Sequence, residues 1–208
     1  MSIISSFIFY RFWGALYMKF IHSIILSEVI IIEPDIYRDD RGYFLETYRA
    51  EKYSEHGIQP TFVQDNISFS RKNVLRGLHY QLECPQGKLV SVIQGEILDV
   101  AVDIRKNSPT FGKWISAILS SENHRQLYIP EGFGHGFCVR SKTARVYYKC
   151  TEYYDPASER GIIWNDSTLN IDWTVVNPII SEKDSMFPKL EEISEKDLPV
   201  FYEKYHTE

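Results

Sequence analysis

The 208-residue chain reads as an all-β protein of sandwich or jelly-roll type, with a few short helices gathered mainly toward its C-terminal end. Two observations predict this class. Extended runs rich in Val, Ile, Tyr and Phe recur roughly every ten residues. Gly and Pro punctuate these runs, and helical periodicity is scarce before residue 160. Strands at that spacing, with little helix between them, stack as two sheets or close into a barrel.

Residues 1–27 are expected to be an N-terminal extension, and 28–208 a single domain. The opening "MSIISSFIFYRFWGALYMKF" is apolar, but Arg11, Lys19 and His22 break it before the roughly 18 clean residues of a membrane span accumulate. A basic leader region and a clear cleavage site are also missing, which argues against a signal peptide. Met18 offers an alternative start, so residues 1–17 are candidates for an appendage outside the fold. "EVIIIE" is then a strand stopped by Pro34. "DDRGYFLETY" opens as a polar turn and becomes extended, and "TYRAEKYSEHG" is a helix ended by Gly57. "TFVQDNISFS", "NVLRGLHYQ", "GKWISAILS", "RQLYIPEGFGHGFCV" and "ARVYYKCTEYY" read as further strands. In "KLVSVIQGEILDVAVDIR", two β-branched runs turning at Gln94-Gly95-Glu96 predict a hairpin. "RKNSPTFGKW" reads as a solvated loop. After "GIIWNDSTLNIDW" the pattern turns helical and polar, with "ISEKD" at 180–184 and again at 193–197, each resembling a capping box.

Composition excludes several function classes. A net charge of −5 gives no general attraction to nucleic acid or an anionic membrane, so an anionic ligand needs a local basic cluster. Cys84, Cys138 and Cys150 are odd in number and lie in no CxxC pair, which favours a reducing cytoplasm over a disulfide framework. No P-loop, GxGxxG, nucleophile elbow or HExxH is present. "PEGFGH" places His135 where a cupin metal ligand would stand, but the partner motif would need H-x-H, and His79 is followed by Tyr80 and Gln81. Two histidines without a third good ligand fall short of a catalytic metal site.

Acid–base chemistry fits better. A histidine works as a base near neutral pH when an acid orients its other ring nitrogen. For His79 the candidate orienters are Asp99, Asp103 and Asp184. Arg76, Lys88 and Lys183 could supply cations, Gln64 and Asn66 polar contacts, and Tyr147, Tyr148, Tyr153 and Tyr154 phenols. Alternation sends Tyr147 and Tyr148 to opposite faces, so one of that pair at most enters a barrel interior.

"DDRGYFLETY", "FVQDNISFSRKNVLRGLHYQ", "QGKLVSVIQGEILDVAVDIRKNSPTFGKW", "RQLYIPEGFGHGFCV", "YYKCTEYYDPASERGIIWND" and "SEKD" follow in the order seen in dTDP-4-dehydrorhamnose 3,5-epimerases, and the chain resembles that family from about Val29 to Leu190. The resemblance implies a metal-free, cofactor-independent cupin, usually a homodimer, acting on a dTDP-linked 4-keto-6-deoxy sugar. It implies His79 as base, Asp184 as its partner, Lys88 as the enolate-stabilising cation and Tyr148 as the acid on the opposite sugar face. Substrate contacts carry over to Arg41, Glu46, Gln64, Asn66, Arg76, His135, Glu159 and Lys183. The thymine-stacking aromatics would be Tyr43 and Tyr153, with the segment around Tyr43 supplied to the partner subunit's site. Of the two "ISEKD" copies the first fits, because Asp184 lies eleven residues beyond Trp173 and precedes "PKL". Finally, Arg76 and His79 reach one pocket only if their strand breaks its alternation, and Gly77 is where a bulge forms most readily.

Overall fold

A computed structural model describes residues 18–58 and 61–202. The segment 1–17, expected to be an appendage, lies outside the described residues. In chain order the strands are β1 (Lys19–His22), β2 (Ile30–Glu33), β3 (Tyr37–Asp39), β4 (Gly42–Phe44), β5 (Gln64–Arg71), β6 (Leu75–Gln81), β7 (Lys88–Gln94), β8 (Glu96–Asp103), β9 (Trp114–Ser120), β10 (Gln126–Ile129), β11 (Phe133–Val139), β12 (Thr143–Cys150) and β13 (Glu159–Gly161). Helix α1 (Ala50–Ser54) precedes β5, and α2 (Glu182–Ser185) follows β13. The strands form a six-stranded sheet ordered β1-β2-β10-β7-β12-β5 and a five-stranded sheet ordered β13-β6-β11-β8-β9, both antiparallel, with β3–β4 as a separate hairpin.

Alternation explains the layering. Val90, Val92 and Val146 of the first sheet meet Ile97, Leu119, Phe133 and Phe137 of the second in the core between them. The intervening residues of β8, Leu98, Val100 and Val102, point the other way and are covered by Leu169, Trp173 and Leu190 of the C-terminal segment. That strand is therefore buried along nearly its whole length, the pattern of a strand covered on both faces.

The structure revises three expectations. Residues 18–27, expected to belong to an N-terminal extension, join the sheet: β1 pairs with β2 along its full length, and Met18 is buried beside Ile30, Ile32 and Tyr53. The turn at Gly95 makes no hairpin, since β7 pairs with β10 and β12 whereas β8 pairs with β11 and β9. Gly95, at φ 84°, instead turns the chain from one sheet to the other, and a Cβ there would stand 2.1 Å from the Thr143 carbonyl oxygen. "RKNSPTFG" is not simply solvated: the Arg105 guanidinium is buried, binds Asp103 and Glu28, and lies against the Phe133 and Phe201 rings. The C-terminal segment carries the expected short helices, α2 and two 3-10 turns (Leu190–Glu192 and Glu195–Asp197), between irregular stretches.

Candidate active site

The site begins with a defect in β6. Opposite β11, His79 faces His135 and Arg76 faces Phe137, so β6 carries two residues between those pairs where β11 carries one. The extra residue is a bulge at Gly77–Leu78. Gly77 has φ 111°, and a Cβ on it would stand 2.6 Å from both Gly136 Cα and the His135 carbonyl oxygen. Only glycine satisfies that close approach. The bulge resets alternation, so His79 points into the molecule while Arg76, although exposed, donates from Nε to the buried Ser70 hydroxyl and lies near enough to Tyr148 to favour its phenolate.

Asp184 fastens the bulge and the imidazole together. Its Oδ1 accepts from His79 Nε2 at 2.9 Å, and its Oδ2 accepts from the Gly77 backbone N–H at 3.1 Å. The sequence builds this locally: Ser181 caps α2 by accepting from the Asp184 N–H, which brings the aspartate side chain against β6. Burial opposes its negative charge, but the bonds from His79, Gly77 and Ser181 outweigh that and hold its carboxyl below the ordinary value. With Nε2–H committed to Asp184, Nδ1 is the basic nitrogen, and it has no hydrogen-bond partner among the described residues. In the second "ISEKD", Ser194 makes no side-chain cap and Asp197 offers only its carbonyl oxygen, to Tyr80.

A cavity of about 260 Å³ opens beside His79 and is lined also by Gln64, Asn66, Lys88, Tyr148, Tyr154 and Glu159. Sheet register puts these side chains together. In the six-stranded sheet Gln64 pairs with Cys150 and Cys150 with Lys88, while Tyr148 stands between Asn66 and Val90. Across the cavity, Glu159 and Gly161 of β13 pair with Gln81 and His79 of β6. His79 and Tyr148 thus enter one cavity from opposite sheets. Tyr147 turns away to donate to Asp65.

Electrostatics differ between the walls. Lys88 is half-buried and has no ion-pair partner among the described residues. Burial depresses its ammonium below the ordinary lysine range, opposed by nearby Cys150, Asp99 and Glu159. Burial raises the Tyr148 phenol, which stays protonated at neutral pH. Burial works against the Glu159 carboxylate, but bonds from Lys183 Nζ and the Tyr154 hydroxyl, each 2.7 Å, keep it below its usual value. The bond to Glu159 in turn pushes the Tyr154 phenol up to about 12.

Of the remaining expected site residues, His135 is buried with its Nε2 bound to Asp99 at 2.8 Å, so Asp99 orients the second histidine and not His79. Asp103 serves Arg105, Ser108 and Thr110. Arg41, Tyr43 and Glu46 are not brought to the cavity of their own chain: Arg41 binds Asp39, Tyr43 lies against His124, and Glu46 faces Arg49 and Lys52. Tyr153 does not line the cavity either. It is 64% exposed, and Tyr154 lines the cavity instead. The parity of Tyr148 and Cys150, carried past the end of β12, points to Tyr154. Gln81, where a cupin would carry a second histidine, ties the 82–84 and 153–155 turns through Cys84, Tyr153 and Asp155. Among the described residues no three His, Cys, Asp or Glu side chains cluster as metal ligands would, and no helix is long and apolar enough to cross a membrane.

Residues 23–192 match the family model described as dTDP-4-dehydrorhamnose 3,5-epimerase. A curated dTDP-4-dehydrorhamnose 3,5-epimerase from Shigella flexneri is 55% identical over 161 residues, covering 76% of this chain and 89% of that one. Another, from Methanothermobacter thermautotrophicus, is 54% identical over 170 residues, covering 80% and 92%. The crystal structure of a dTDP-6-deoxy-D-glucose-3,5-epimerase from Legionella pneumophila Philadelphia 1, in complex with dTDP-4-keto-L-rhamnose, superposes with a TM-score of 0.87 at 51% identity, over 89% of this chain and all of that one. With this fold, the histidine–aspartate pair facing a half-buried tyrosine, and relatives matched over most of their length, the chain belongs to the dTDP-4-dehydrorhamnose 3,5-epimerase family.

Proposed function

We propose that the chain inverts C3 and C5 of dTDP-4-dehydro-6-deoxy-D-glucose to give dTDP-4-dehydro-L-rhamnose, on the route to dTDP-L-rhamnose. The observation that carries the reading is one cavity with His79, held by Asp184, on one sheet and the protonated Tyr148 on the other. A proton α to a ketone is weakly acidic, so its removal needs a positioned base and a charge near the developing enolate oxygen. His79 Nδ1 takes the proton, and Asp184 stabilises the imidazolium that forms. Lys88, a cation without a neutralising partner among the described residues, faces the C4 oxygen as it gains charge. Inversion then requires a proton delivered from the opposite side, and the Tyr148 hydroxyl supplies it. The sequence is repeated at the second centre. The reaction moves only protons, so no redox cofactor takes part.

A cavity of about 260 Å³ is smaller than the roughly 300–1,000 Å³ that encloses a whole small ligand. It suits the sugar, with the diphosphate directed toward Arg76 and Lys183 and the base toward Tyr154. The remaining contacts come from a second copy of the chain. The β3–β4 hairpin leaves Arg41, Tyr43 and Phe44 exposed, and the edge strand β5 exposes Ile67 and Phe69, a surface suited to a homodimer in which each hairpin completes its neighbour's site. The three cysteines are free thiols, in keeping with the cytoplasm.

The test incubates the protein with the 4-keto-6-deoxyglucose nucleotide in D2O and locates deuterium by NMR. Incorporation at C3 and C5 that survives chelators and disappears in His79→Ala is expected. A His79→Ala variant exchanging at the wild-type rate overturns the reading. Mixing inactive His79→Ala with inactive Arg41→Ala restores activity if hairpins are shared, and restores none if each subunit is self-sufficient.

A further inference from the structure

The segment that delivers Asp184 to His79 delivers a second side chain three residues later. Phe187 packs edge-on against the imidazole, ring centroids 5.7 Å apart and planes at 76°. The place it occupies is cut out of the opposite strand: Gly161 is the β13 partner of His79, and a Cβ on Gly161 would stand 2.3, 2.4 and 2.6 Å from three Phe187 ring carbons. The ring therefore lies over a glycine that has no room for even a methyl group. The segment is tied down just beyond, where the Ile163 N–H donates to the Pro188 carbonyl at 2.9 Å.

Phe187 does not line the cavity that holds Lys88 and Tyr148. It lines a separate groove of about 360 Å³, on the far side of Tyr80 and Glu159, which border both spaces. The ring thus stands between this open groove and the His79–Asp184 bond. Aromatic edge-to-face contacts fix ring orientation, and a dry wall strengthens a charged hydrogen bond by keeping competing water away.

We infer that Phe187 is a positioning residue: it fixes the rotamer of His79 and shields the His79–Asp184 hydrogen bond, while Gly161 is the vacancy that admits its ring. The inference rests on the assignment of His79 as base in the proposed reaction, and deepens it.

Two readouts test it. In steady-state epimerisation, Phe187→Ala is expected to lower kcat about 2- to 10-fold, as loss of an aromatic pair implies, with KM changed less than about twofold. In substrate-free protein, NMR of the His79 Nε2–H proton is expected to show exchange with water at least about tenfold faster in Phe187→Ala, with Phe187→Leu between the two. Gly161→Ala, which displaces the ring, should reproduce the kcat loss. Added to Phe187→Ala it should do no further harm, and that double variant, relieved of the clash, also shows that the strand tolerates alanine. Wild-type kcat and wild-type proton exchange in Phe187→Ala overturn the inference, as does a KM rise at constant kcat, which would mean that the ring touches substrate. A wild-type protein that fails to exchange deuterium into the sugar nucleotide refutes the proposed reaction instead, and the Nε2–H measurement still decides the role of Phe187.

Discussion

Replacing Asp184 by Asn changes almost no volume and removes one charge, which makes it the sharpest perturbation of the site. The carboxylate accepts two N–H donors, from His79 Nε2 and from Gly77. An amide has one acceptor, so it cannot serve both. If its oxygen keeps Gly77, its NH2 must donate to Nε2, and the imidazole proton moves to Nδ1, the nitrogen proposed to take the substrate's proton, which can then accept nothing. If the oxygen keeps Nε2–H, a buried Gly77 N–H is left facing another donor, at a cost of about 1–3 kcal/mol. Loss of the charge-assisted bond alone, about 1.5–3 kcal/mol, corresponds to roughly 10- to 150-fold in rate, and a wrong tautomer can bring the loss to about 10⁴-fold. Asp184→Asn is therefore expected to lower kcat between about 10- and 10⁴-fold. KM should stay nearly constant, because Asp184 does not line the cavity. Deuterium wash-in at C3 and C5, with circular dichroism to confirm the fold, measures this. A folded variant within about threefold of wild-type kcat refutes the role of Asp184.

The same carboxyl predicts an acid limb in stability. Its folded value lies below the ordinary 3.8, so its contribution is complete above that pH and is lost as pH falls through the depressed value; thermal melts from pH 5 downward should fall less steeply in Asp184→Asn than in wild type. Lys88→Met removes a half-buried cation that has no ion-pair partner among the described residues, so melting temperature should hold or rise while kcat falls about 10²- to 10³-fold, and a loss of both would point to a structural role. Tyr148→Phe should keep wash-in on the His79 side but lower product formation by about 10²-fold or more, read by comparing deuterium uptake with product in one sample. Tyr154→Ala should raise KM several-fold and Tyr153→Ala should change it little, because only the former lines the cavity.

Strand positions were legible because alternation and Gly or Pro punctuation are local properties, and β2, β5, β6, β11 and β12 fall where the sequence places them. The turn at Gly95 was misread because a glycine between two β-branched runs specifies a reversal, not whether the second strand stays in the same sheet. The loop at 105–112 misled because its cation is neutralised by Asp103 and by Glu28, 77 residues earlier in the chain, a distant partner that composition does not reveal. Within the site, the bulge at Gly77 was legible from the three-residue spacing of Arg76 and His79. Choosing Asp184 over Asp99 and Asp103 needed either the family resemblance or the tertiary contact itself. That Tyr154 and not Tyr153 lines the cavity was legible from parity, since Tyr148, Cys150 and Tyr154 stand at even spacing, although the positions lie just past the end of β12. Phe187 carries no signal in sequence, since a phenylalanine before a proline suggests only a turn.

The glycines at the pinch between β6 and β11 bear on how this chain can evolve. A Cβ on Gly77 meets Gly136 Cα, and a Cβ on Gly136 would stand 2.8 Å from the Arg76 carbonyl oxygen. Both obstacles are main chain, so no compensating side-chain change elsewhere relieves either, and altering the two together adds one clash to the other. The neighbouring positions Leu75 and Cys138 face ordinary apolar packing and can drift among residues of similar volume. Mutational freedom therefore drops abruptly within two residues of the base: the lineage can retune what surrounds His79 but is held to one backbone geometry beneath it.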